Sequence, residues 1–172
     1  MPRAVRGFVH FVDRFNRWIG RIAMFLIVLL LAILLQAAFY KTAFDVSPIW
    51  TVEMAQFTLT TYYMLGGAYS MQNGAHVRMD LFYGRWRPRT RAIVDAITVL
   101  CLIFYLVILL WGALESARYV FETGQRRPSA WHPELWPIRS IMAFGVFLML
   151  LQSLSIFFKD LATALGEPLD DL

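Results

Sequence analysis

Apolar positions along the chain gather into four runs long enough to cross a hydrocarbon layer as helices, which takes about 20 residues. They cover residues 22–40, 49–72, 92–114 and 138–158. The first, IAMFLIVLLLAILLQAAFY, is interrupted only by Gln36. The second is richer in threonine and tyrosine, the third carries Asp95 near its start, and the fourth follows Pro137, a residue suited to a first helical position. The short alternating segments of a membrane barrel are absent. The pattern predicts an all-α integral membrane protein, one membrane domain over residues 1–172 with four transmembrane helices.

Two further segments have a helical pattern without being apolar throughout. In residues 3–21, Phe8, Phe11, Val12, Phe15, Trp18 and Ile19 recur at three- and four-residue spacing, while Arg3, Arg6, His10, Asp13, Arg14, Arg17 and Arg21 fill the complementary stripe. Such a leader is expected to lie in the membrane plane as an amphipathic helix, rings in the acyl boundary and guanidinium groups on lipid phosphates. The run behind it is too long for the core of a cleaved signal peptide, so it reads as a retained anchor. Residues 73–91, NGAHVRMDLFYGRWRPRTR, open with an Asn-Gly exit and approach the third run through Pro88. Between them Met79, Phe82, Tyr83 and Trp86 form one helical stripe. A short interfacial helix follows from it, with Arg85, Trp86 and Arg87 as surface anchors.

Composition supports the membrane class: 59% of the residues are hydrophobic and 16% charged, against about a quarter charged in soluble domains. In a membrane chain the placement of basic residues outweighs their sum, so the net charge of +4 does not argue for nucleic acid. Eleven lysines and arginines fall in the leader, the 73–91 loop and the tail, and five on the other side. Both termini and loop 73–91 are therefore expected in the cytoplasm, with loops 41–48 and 115–137 outside. The lone Cys101 has no cysteine to pair with.

The second run has the most informative polar face. Glu53, Gln56, Thr60, Tyr63, Gly67 and Ser70 follow a 3-4-3-4-3 spacing and stack along one side of a helix. Polar and small residues on a spanning helix face protein rather than lipid, so the stripe is a candidate subunit interface. Glu53 lies near the outer end, where ion or proton handling is the alternative to packing. Asp95 pairs naturally with Arg91 four residues earlier, or with its helix N-terminus. His10, His76 and His132 all lie outside the spanning runs, which disfavours haem within the membrane. No phosphate loop, zinc pattern or catalytic triad is present, so neither cofactor nor enzymatic activity is expected. In the outer loop, Trp131 and Trp136 suit an interfacial belt. Arg126 and Arg127, with Trp131, are candidates for docking an extracytoplasmic partner. The acidic tail after Lys159 carries no assignable role.

The stretch IWTVEMAQFTLTTYYMLGGAYSMQNGAHVRMDLFYGRWRPRTRAIVDAI resembles the small membrane subunit, the DctQ-like component, of tripartite ATP-independent periplasmic (TRAP) transporters. The likeness rests on Trp50, Glu53, Gly66 through Tyr69, and GAHVRMDLFY with its arginine-rich sequel; AWHPELWPIRSIMAFGVFLMLLQ is similar to the family's fourth helix. It implies a companion to a large membrane subunit that imports organic acids with sodium ions after a periplasmic binding protein captures them. The small subunit would brace the scaffold in the inner membrane and help dock the binding protein, with phospholipids as its other partners. On the residues alone two alternatives stay open: a small proton-coupled exporter using Glu53, and a membrane anchor of a redox enzyme.

Overall fold

Four helices account for nearly all of the computed structural model, which describes residues 3–73 and 88–164. They are α1 (Arg3–Phe44), α2 (Thr51–Gln72), α3 (Pro88–Thr123) and α4 (Trp136–Ala164). No strand occurs among the described residues, which hold one isolated bridge, Arg126 with Glu134. Over Arg6–Phe44, Ile97–Thr123 and Trp136–Ala162 the helices are long and apolar enough to cross a membrane. α2 is not among them. Its 22 residues include Glu53, Gln56 and several threonines and tyrosines, which lower its apolarity. Thr58, Thr60 and Thr61 offset part of that polarity by donating to the carbonyls of Met54, Gln56 and Phe57, each at 2.8 Å.

Residues 3–21 and the first apolar run share one helix, with no boundary at residue 21. α1 runs from Arg3 to Phe44 without a break, and nothing between leader and span stops it. No proline lies there, and Gly20 is held inside the helix by packing: a Cβ on it would meet the Tyr69 ring at 2.5 Å. The leader's apolar stripe is sorted by this packing. Val12 and Ile19 are buried, Phe8 and Phe15 half-buried, and Phe11 and Trp18 exposed.

α1 ends where Asp45 turns left-handed (φ 53°) and its amide donates to the Lys41 carbonyl at 3.1 Å, a closure Asp tolerates better than most residues. α3 ends on Gly124 (φ 57°), with the Gln125 amide reaching the Val120 carbonyl at 3.4 Å, the six-to-one bond of a Schellman cap. It therefore continues past the predicted 114 to Thr123, and the connection to α4 is a hairpin rather than a long loop. Arg126 pairs with Glu134 at 3.2 Å, and the Trp136 indole donates to the same carboxylate at 2.9 Å.

α2 packs between α1 and α4, α1 also touches α4, and α3 packs against α4. The core sits at the three-helix junction on Ile19, Ala68 and Leu148, flanked by Phe15, Leu65 and Met149. Gly145 makes the α2–α4 approach close: a Cβ there would lie 2.9 Å from the Met64 carbonyl oxygen. α3 stands outside this junction, with Phe104, Trp111 and Phe121 about 70% exposed.

Candidate functional site

The densest polar chemistry in the bundle is a clasp at the Lys159 end, built by three helices. α1 contributes Asp13 and Asn16, three residues apart on its inner face. α4 contributes Gln152, Ser155 and Lys159, whose 3-4 spacing puts them on one face in turn. The Asp13 carboxylate accepts from Gln152 Nε2 at 3.0 Å and Ser155 Oγ at 3.0 Å through Oδ1, and from Lys159 Nζ at 2.6 Å through Oδ2. Asn16 Nδ2 donates to Gln152 Oε1 at 2.7 Å. From α2, Gln72 Nε2 donates to the Asp13 backbone carbonyl at 3.2 Å. Gln152 and Ser155 are fully buried and Asn16 nearly so. A buried carboxylate persists where donors and an opposite charge surround it, and here both conditions are met.

The site does not stand out in the sequence, where Asp13 falls on the charged stripe of residues 3–21 and Gln152 and Ser155 lie inside an apolar run. The signal was present as two short polar rows, Asp13/Asn16 and Gln152/Ser155/Lys159, each at helical spacing within otherwise apolar faces.

The α2 stripe is divided rather than shared by one face. Glu53 is buried at 8% exposure, with Oε2 lacking a hydrogen-bond partner among the described residues. Gly67 is half-buried against Met149, which a Cβ would meet at 3.1 Å. Gln56 and Tyr63 point outward, and Thr60 and Ser70 are half-buried. The 3-4 spacing slowly winds around a straight helix, and α4 covers part of it.

Of the surface anchors, Arg6, Phe11, Arg14, Arg17 and Trp18 are exposed and Phe8 and Phe15 half-buried, the last two drawn onto the bundle. Phe8 packs edge-on against Phe158, and Phe11 stacks on Phe15. Arg3 opens α1; its side chain, the Asp95–Arg91 pair, and Arg85, Trp86, Arg87 and the stripe beginning at Met79 lie outside the described residues. At the hairpin, Arg126 is engaged by Glu134, Arg127 is half-buried and its carbonyl lies 3.2 Å from His132 Nδ1, and Trp131 is exposed at 42%. Trp131 borders an open apolar groove with Leu26, Phe57, Thr61 and Pro137. Among the described residues no cluster of metal-ligating side chains occurs.

Long apolar helices joined by an ion-paired polar clasp define a helical membrane protein. The family model for "Tripartite ATP-independent periplasmic transporters, DctQ component" matches residues 30–163, and the chain belongs to that family. It is thus a component of a transporter whose other parts are a large membrane subunit and a substrate-binding protein. No curated protein and no solved structure matches the chain.

Proposed function

We propose that the chain braces the stationary scaffold of a sodium-coupled importer of organic acids, as a multi-pass protein of the inner membrane. In this reading α2 is a fourth crossing, both termini and loop 73–91 face the cytoplasm, and the α3–α4 hairpin faces the periplasm. Arg126, Arg127 and Trp131 then help dock the binding protein. Arg3, Arg6, Phe8, Phe11, Arg14, Phe15, Arg17, Trp18, Arg85, Trp86 and Arg87 anchor the chain on phospholipid. Glu53, Gln56, Thr60, Tyr63, Gly67 and Ser70 line the approach to the large subunit.

The observation that carries the scaffold role is the flank of α3. A helix of 36 residues packed against α4 leaves Phe104, Trp111 and Phe121 facing outward. Such a flank widens the assembly laterally and meets lipid or partner helices, without enclosing a path of its own. The groove bordered by Trp131, between α1, α2 and the start of α4, lies open on the bundle surface.

Reconstitution tests it. The chain alone in proteoliposomes under an inwardly directed sodium gradient is expected to take up no organic acid, and addition of the large subunit and binding protein to give sodium-driven uptake. Uptake by the chain alone would overturn the scaffold role and favour a self-sufficient carrier.

A further inference from the structure

Asp13 and Arg17 stand four residues apart, acid before base, the favoured arrangement for a pair on one helix. The clasp prevents it. Both Asp13 oxygens are taken by Gln152, Ser155 and Lys159, with the lysine cancelling the charge at 2.6 Å. Arg14 and Arg17 are exposed and have no carboxylate partner among the described residues. With His10 and Asp13 they line a polar cleft of about 310 Å³.

The clasp also fixes how deep these arginines sit. Asn16 is bonded to Gln152, and Gln152 is seven residues, about 10 Å, along α4 from Lys159 toward its apolar middle. Arg17, next to Asn16, shares that depth. A guanidinium does not discharge, and at such depth it must find an anion or reach back to the interface. Side chains on a helix lean toward its N-terminus, which for α1 is the end holding Lys159, where headgroups lie. The exposed rings of Phe11 (68%) and Trp18 (60%) alternate with the arginines, an arrangement suited to the acyl–headgroup boundary and not to a purely aqueous face.

We infer that Arg14 and Arg17, with His10 beside them, form a binding site for the phosphate of an anionic phospholipid in the leaflet around the N-terminal half of α1. This rests on the membrane placement of α1 proposed above, and sharpens general anchoring into one site with one ligand chemistry. The arginines supply a fork of donors to phosphate oxygens, and Trp18 covers the upper acyl chain.

The full chain is placed in phosphatidylcholine bilayers containing increasing fractions of dibrominated phosphatidylglycerol or dibrominated phosphatidylcholine. The difference in tryptophan quenching between the parent chain and Trp18→Phe reports lipid at this position. A preference for phosphatidylglycerol of about fivefold or more is expected, falling to about one in Arg14→Gln/Arg17→Gln and persisting in the control Arg118→Gln/Arg127→Gln. Should the double variant fail to fold, Arg17→Gln alone is expected to lose about half the preference. No preference in the parent chain, or an unchanged one in the double variant, overturns the site. Loss of the preference on adding inorganic phosphate also overturns the lipid assignment, because the ligand is then a soluble phosphate. A parent without preference whose Arg17→Gln variant no longer co-purifies with the large subunit would give the arginines to a protein carboxylate instead. The assay uses neither sodium nor the large subunit until that last arm, so its failure is separable from failure of the scaffold role.

Discussion

Replacing Asp13 by alanine removes the charge to which Lys159 donates at 2.6 Å and the acceptor for Gln152 and Ser155. Breaking a pair whose side chains are 14% and 30% exposed is expected to cost about 3 kcal/mol. Asp13→Ala/Lys159→Met is expected to cost less than the sum of the two single changes, because the contact between them is lost once and not twice. Unfolding of the four chains of this cycle in mixed micelles measures the coupling, and strictly additive losses would show that the pair does not act as a unit. Glu53 makes the opposite case. Its Oε2 has no donor among the described residues, so Glu53→Gln should leave the isolated chain's melting temperature unchanged. If Glu53 meets a donor from the large subunit, the same change weakens assembly by roughly tenfold. Intact assembly with abolished uptake would assign Glu53 to ion handling. The polar rows around Asp13 stand in the sequence but their meeting does not, since its partners lie some 140 positions away, and the Glu53 stripe is cut by α4.

At the scale of elements, the close approach of α2 and α4 depends on Gly145. Gly145→Ala is expected to destabilise the bundle by about 1–3 kcal/mol, because the nearest atoms include the Met64 backbone, which cannot rotate aside. Gly112→Ala on α3, where nothing lies within 4 Å, should be neutral or stabilising by up to about 1 kcal/mol. Thermal melting in one detergent compares them, and equal effects would place the α2–α4 contact elsewhere. The long apolar runs were legible because about 20 apolar residues in series carry their own evidence. Ends were less so. α3 passes residue 114 since Glu115, Arg118 and Glu122 favour continued helix, with Arg118 and Glu122 paired four residues apart at 2.7 Å. The leader joins the first span because its inner face has α2 and α4 to pack on, a fact the sequence of the leader alone does not contain.

Over the whole molecule, the charge bias predicts a testable direction. In a Cys101→Ser background, Ala130→Cys on the hairpin should react with a membrane-impermeant maleimide in spheroplasts, and Gly7→Cys only after lysis. The reverse pattern would invert the topology proposed here. The clasp joins Asp13 to Lys159, 146 positions apart in the sequence. Ribosomes add roughly 5–20 residues each second, so the carboxylate made first waits on the order of ten to thirty seconds for its ammonium. Gln152, Ser155 and Lys159 arrive together with the last helix. Synthesis of α4 is thus a condition for closing the bundle, and until Gln152 is made the Asp13 and Asn16 side chains lack the partners that join α1 to α4.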